Sequence, residues 1–281
     1  MKILFSAILL LITAVTAFGA VCKEENYETK VSGYSECLLM KRYGSTIPTT
    51  MVVWLHGNLS TGGPANYQYP IAEKFAADFA SYNILSVALV RPGYPDGSGE
   101  YSTGNDNGRA DNWTRAIITE VGTAIEKLRL KYKPKSVILV GHSGGSATAA
   151  VLLGMKPKLA ESAVLVSCPC DLIAWRMGRR GPPWNSEDPI MWIEEVPATI
   201  RVIALTGTKD GTTSPAVAES YIVKLKAHGN NAVFLSIPGV AHRDALGTTA
   251  VSEAIAGLLQ RKDAEEKQQQ ERSAQTKGAK P

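Results

Sequence analysis

Residues 136–155 read SVILVGHSGGSATAAVLLGM. After Ser136 come four apolar residues, three of them β-branched, a run that suits a strand buried on both faces. From Ser146 to Met155 the small and apolar residues follow helical spacing, so the reading predicts a strand that passes straight into a helix. Between the two stands Gly141-His142-Ser143-Gly144-Gly145, a G-x-S-x-G pattern. A serine at so sharp a turn takes a strained backbone, and the residues two before and two after it must be small to avoid overlap. Gly141 and Gly145 meet that need. The pentapeptide alone is common by chance; set between a strand and a helix, it is a strong signal.

The same alternation extends in both directions. Stretches 50–55, 84–90, 163–166, 201–205 and 232–237 are short, rich in β-branched residues and mostly bounded by Gly, Pro or Asn, and read as buried strands. Stretches 71–81, 113–131, 215–228 and 251–261 have helical spacing. Strand and helix in turn predict an α/β fold, a mostly parallel central sheet with helices on both faces. Segment 23–49 reads as a preceding antiparallel hairpin. Two stretches break the rhythm: the Gly-rich loop 91–112, and 171–196, read as a short lid insertion.

Charge and length narrow the function. The chain has 281 residues, 30 Lys+Arg against 26 Asp+Glu and a formal charge of +4. Lys2 and the six basic and four acidic residues of 261–281 account for most of that, leaving 23 basic and 22 acidic residues in 21–260. A body so near neutrality offers no basic face for nucleic acid. About 240 residues bury one sizeable core, so one domain, 21–260, is expected.

The ends read differently. Residues 1–20 carry one Lys, a long apolar run and small residues at Ala17, Gly19 and Ala20, the pattern of a cleaved secretory signal. An uncleaved anchor is the competing reading. Removal of the signal would leave a secreted or periplasmic protein with no stable membrane insertion. Residues 261–281 are Lys, Glu, Gln, Ser and Ala without an apolar period, and a disordered, solvated tail is expected. Export makes the four cysteines candidates for disulfides. Cys22–Cys37 is the preferred bridge; Cys168 and Cys170 flank Pro169, where a local bridge is expected to be strained. A zinc site is set aside, because no His lies near either pair at ligand spacing; no metal or cofactor is expected.

A serine hydroxyl needs a base, and the base needs an orienting acid. Of four histidines, His56 follows an early strand, His142 adjoins the serine with its side chain expected to point away, and His228 ends a helix. His242, in the loop after the last strand, is the best base. Asp210, in Thr206-Gly-Thr-Lys-Asp210-Gly after strand 201–205, is the favoured acid, with a helix-capping turn as its competing role. Asp171 is the substitute. Ser143, Asp210 and His242 then fall in the chain order this architecture requires.

From about residue 50 to 260 the chain resembles the α/β-hydrolase superfamily, in a serine esterase or peptidase-like branch. The resemblance rests on His56-Gly57, Arg91-Pro-Gly-Tyr94, the pentapeptide 141–145, Asp210 and His242. It implies an oxyanion hole made by the backbone N–H groups of Asn58, or Leu59 if the loop is shifted by one, and Gly144. Pro95 departs from the glycine frequent in relatives. A serine nucleophile argues against the dehalogenase and epoxide-hydrolase branches, which use Asp there. The implied activity is hydrolysis of small carboxylic esters through an acyl-enzyme on Ser143.

Residues 171–196 hold Trp175, Trp184 and Trp192, with Met177 and Met191. They read equally as an acyl or leaving-group pocket and as lid packing. Arg176, Arg179 and Arg180 offer guanidinium groups to an anionic substrate, against the reading of a solvated face. Asn58 and Asn112 match the glycosylation pattern by chance, since a glycan on Asn58 would block the site. Asn185-Ser-Glu-Asp-Pro-Ile190 resembles prolyl-oligopeptidase-like catalytic domains around Asp188 and Pro189. A peptidase taking short peptides is therefore the alternative, with Glu194 and Glu195 as candidate anchors for a free amino terminus. A catalytically silent binding module is the third reading, disfavoured by the intact Ser, Asp and His.

Overall fold

Strand β5 (Ser136–His142) is buried along its whole length. It lies between two parallel neighbours, β3 (Thr50–Leu55) and β6 (Ser162–Val166). The structure, a computed structural model, describes residues 22–109, 113–177 and 184–260. The expectations for 1–20, Asn112, Arg179, Arg180 and 261–281 fall outside them. The other strands are β1 (Lys30–Ser32), β2 (Cys37–Gly44), β4 (Ile84–Leu89), β7 (Arg201–Gly207) and β8 (Asn231–Ile237). Among the described residues they form one eight-stranded sheet in the order β1-β2-β4-β3-β5-β6-β7-β8. From β4 to β8 across the sheet every pairing is parallel, while β1 and β2 make the antiparallel hairpin expected at the start.

The helices are α1 (Gln68–Asp78), α2 (Arg115–Tyr132), α3 (Gly144–Met155), α4 (Leu172–Arg176), α5 (Pro215–Ala227) and α6, described over 249–260. Alternate residues of the central strands serve opposite faces, as strand geometry demands. Met51, Val53, Leu55, Val137 and Leu139 belong to the core with α2, α3 and α5. Val52, Trp54, Ile138 and Val140 belong to the core with α1 and α6. This two-sided burial is why the strands read as continuous apolar runs.

Helix α1 begins three residues before the expected 71–81, because Pro70 falls in its first turn, where a backbone N–H has no helical partner to lose. It ends early as well: a 3-10 turn at Ala80–Tyr82 and a left-handed Asn83 (φ 50°) redirect the chain into β4. Helix α3 has no polar face, and every residue from Gly144 to Gly154 is buried. Such a helix needs a cover on its outer side, which the 3-10 segment Pro189–Glu195 supplies: a Cβ on Gly154 would meet the Trp192 carbonyl at 2.6 Å. Both cysteine pairs are bonded. Cys22–Cys37 ties the start of the described chain to β2, and Cys168–Cys170 closes the turn after β6.

At the end of β5 the chain turns at Ser143 with φ 53° and ψ −121°, a left-handed backbone rare for a residue with a side chain. A Cβ on Gly141 would overlap the backbone of Gly145 and Ser146, and one on Gly145 the carbonyls of Leu55 and His56. The expected smallness at both positions is thus a matter of backbone against backbone, which cannot relax by turning a side chain. Gly145→Ala is expected to lower stability by about 1–3 kcal/mol. In the same thermal melts Gly257→Ala, in α6 with open space around it, should be neutral or stabilising by up to about 1 kcal/mol.

Candidate active site

Three strand ends bring the expected residues together. Ser143 follows β5, and its backbone N–H donates to the Val166 carbonyl of β6 at 2.9 Å. His242 follows β8 and opens the 3-10 segment His242–Gly247. Its Nδ1 lies 2.8 Å from Asp210 Oδ2 and 3.0 Å from Oδ1. A carboxylate only accepts, so Nδ1 carries the proton and Nε2 remains the ring atom for proton exchange. Asp210 follows β7 and is buried. Its Oδ1 also accepts from the N–H groups of Thr212 and Thr213, at 2.9 and 2.7 Å. Burial pulls this carboxyl upward, but the hydrogen bonds from His242 and Thr213 outweigh it and hold the group below its ordinary value. Asp210 thus braces its own turn as well as bonding His242, but it does not cap α5, whose N-cap is Ser214. Asp171 goes elsewhere, accepting from Ala174 N–H at 2.9 Å as the N-cap of α4.

The loop after β3 is braced from behind. His56 is fully buried; its Nε2 accepts from Arg91 N–H at 2.9 Å. The other nitrogen, Nδ1, therefore donates to the Gly57 carbonyl, at 2.7 Å. Burial, with the Arg91 charge, keeps this imidazole well below its ordinary range and neutral. In a trans peptide the C=O and the next N–H point opposite ways, so turning the Gly57 carbonyl onto His56 turns the Asn58 N–H away from it. Gly57 itself crowds the serine: a Cβ there would lie 2.9 Å from Ser143 Cβ. The Asn58 carboxamide packs over Gly144, its Oδ1 accepting from Arg91 Nη2 at 2.8 Å. Asn58 and Gly144 are thus neighbours.

Ser143, His242, Asn58 and Tyr67 line a cavity of about 570 Å³ together with Trp113, Trp175 and Trp184. That volume lies in the range of small-molecule sites, roughly 300–1,000 Å³. The three indoles form a cluster with ring centroids 5.1 to 6.0 Å apart. Trp175 Nε1–H donates to the Thr212 carbonyl at 2.9 Å, which anchors it to the turn that carries Asp210. Trp184 is held beside Trp113 because Thr114 and Ser186 bridge, and Glu187 N–H donates to the Trp113 carbonyl at 3.1 Å.

Two expected substrate contacts lie elsewhere. Trp192 is not among the cavity-lining residues: it covers α3, and its indole N–H reaches Glu187 Oε2 at 3.1 Å. The need to shield a helix buried on every side explains its position. Arg176 sets its guanidinium over the Trp184 ring, 4.8 Å from the centroid, rather than lining the cavity. Conversely, Tyr67, Trp113, Arg109 and Arg243 line the cavity without having been singled out. Arg109 donates to the Leu59 and Gly63 carbonyls and pairs with Asp106, bracing the loop beyond Asn58. No local pattern marks these four, because each arrives from a different loop or helix end.

A family profile described as the alpha/beta hydrolase family matches residues 52–266. No curated protein matches the chain in sequence. Among solved structures, Est1E from Butyrivibrio proteoclasticus, in a complex with ferulic acid, is 12% identical with a TM-score of 0.60, covering 84% of this chain and 98% of its own. The esterase Pf2001 of Pyrococcus furiosus is 16% identical at a TM-score of 0.61, covering 83% and 90%. A hyperthermophilic esterase from Pyrobaculum calidifontis is 17% identical at 0.60, covering 83% and 84%. At such identities the likeness is one of fold. With the profile spanning most of the chain and the sheet order on the page, this protein belongs to the alpha/beta hydrolase family.

Proposed function

We propose that the protein is an exported serine hydrolase that cleaves carboxylic esters of small substrates, with Ser143 as nucleophile, His242 as base and Asp210 as its orienting acid. The observation that carries the reading is the bond between Asp210 and His242 Nδ1, at 2.8 Å, with His242 and Ser143 on the wall of one cavity. In this reading His242 Nε2 takes the Ser143 hydroxyl proton as Oγ attacks the ester carbonyl. The N–H groups of Asn58 and Gly144 receive the oxyanion, each such donor contributing about 2.7–4 kcal/mol to the transition state. The imidazolium, held by the Asp210 carboxylate, then protonates the departing alcohol. Water, deprotonated by His242, releases the acid from the acyl-serine.

An ester fits this cavity better than a peptide does. An aminopeptidase needs carboxylates to hold the amino terminus, and among the described lining residues there is none. Glu194, one of the two candidates, instead lies 3.9 Å from His228, in a different surface groove. The solved structures of similar fold named above include proteins titled esterases. Export is supported by the two disulfides; among the described residues no helix is long and apolar enough to cross a membrane.

A fluorophosphonate probe is expected to label the wild type and not Ser143→Ala; an unlabelled, folded wild type would remove the hydrolase reading. Asp210→Asn should lower kcat on p-nitrophenyl acetate by about 10³–10⁴-fold, with Asp171→Asn close to wild type, and the reverse ranking would move the acid to Asp171. Aminoacyl p-nitroanilides should be turned over far more slowly than p-nitrophenyl esters. Faster cleavage of the anilides would make the protein a peptidase.

A further inference from the structure

The reading above uses His56, as a brace, and His242; it leaves His142, next to the nucleophile, without a role. Its ring lines the same cavity as Ser143, and both of its nitrogens have polar partners. Nε2 lies 2.9 Å from the backbone carbonyl of His242, and Nδ1 lies 2.8 Å from the Tyr67 hydroxyl. That hydroxyl in turn receives the Gly57 N–H at 2.5 Å.

The directions of these bonds are determined. A carbonyl oxygen only accepts, so His142 Nε2 carries the proton and donates a hydrogen bond to the His242 carbonyl. In the neutral ring Nδ1 is then an acceptor, which the Tyr67 O–H must serve. The phenol oxygen keeps a lone pair for the Gly57 N–H. One chain of donors results, running from Gly57 through Tyr67 and His142 to His242. Each polar atom in it has a partner, and the Tyr67 and His142 rings meet edge to face at 5.6 Å.

We propose that Tyr67 and His142 are positioning residues, a bridge that sets the oxyanion loop at Gly57 and the backbone of His242 at a constant separation. The bridge rests on the hydrolase reading of Ser143 and His242. Its ends are the two backbone segments that reading needs in register: the peptide before Asn58, one proposed oxyanion donor, and the residue that moves the proton. They come from β3 and β8, which are not neighbours in the sheet. His56 holds the Gly57 carbonyl and Tyr67 holds its N–H, so both peptide planes around Gly57 are restrained.

The chemistry of the two groups suits the task. Burial pushes His142 down to about 4, so it stays neutral beside an imidazole whose centroid is 5.0 Å away and which turns cationic in the proposed reaction. Burial likewise pushes Tyr67 up to about 12, so it keeps the proton it must donate.

The test compares Tyr67→Phe, His142→Leu and His142→Gln on p-nitrophenyl acetate, with thermal melts in parallel. Tyr67→Phe and His142→Leu are expected to lower kcat by about ten-fold or more, with KM within about two-fold of wild type, the signature of lost transition-state alignment. His142→Gln, whose carboxamide supplies one donor and one acceptor, is expected to recover most of the loss. Wild-type kcat in His142→Leu, or a folded His142→Gln no better than His142→Leu, would overturn the bridge. Imidazole ¹⁵N shifts provide a readout that does not need turnover: an Nε2–H tautomer of His142 near neutral pH supports the bridge, and an Nδ1–H tautomer overturns it. A wild type with no labelling and no turnover, yet with the Nε2–H tautomer, would refute the hydrolase reading while keeping the bridge as a structural link.

Discussion

Everything near the cavity depends on the chain reversing at Ser143 within one residue. That turn needs a left-handed backbone at a residue that has a side chain, which costs of order 1–3 kcal/mol. It persists because the surroundings over-determine it. The serine N–H is held by the Val166 carbonyl, and α3 begins at once. Gly141 and Gly145 let the new helix lie against the strand it has just left and against the end of β3. The cost is met by a helix buried on every side, and a half-buried serine on the cavity wall is the result.

The strand order gives this turn its setting. From β3 the chain moves one way, to β4, and later the other way, through β5, β6, β7 and β8. The crevice between the carboxyl ends of β3 and β5 is the point where the winding reverses, and loops there diverge and leave room for a ligand. The Gly57–Asn58 loop flanks that crevice on one side and Ser143 on the other. His242 and Asp210 reach it from the far strands because the parallel pairing sets all those carboxyl ends on one edge of the sheet.

Second-layer contacts then remove freedom from each loop. His56, Arg91 and Tyr67 restrain the segment that bears Asn58. Thr212 and Thr213 restrain Asp210, and Thr212 also receives Trp175. The segment between β6 and β7 therefore does two tasks. Trp175 and Trp184 complete the cavity, while Trp192 seals α3 from water.

Much of this was legible in the order of residues. Periodicity reports burial, and burial on both faces marks a parallel sheet, so the strands and most helices were apparent within a few residues. The pentapeptide marked the turn because only glycines tolerate backbone at that range. Asp210 and His242 could be placed at one edge of the sheet because each stands just past a strand whose direction was already known. The tertiary structure alone decided which tryptophans meet at the cavity, where Arg176 points, and that Tyr67 and His142 join the loop after β3 to the residue after β8. The two contacts of His142 link positions 75 and 100 residues apart. Local chemistry writes a pattern into neighbouring residues; a contact made by folding distant segments together leaves none.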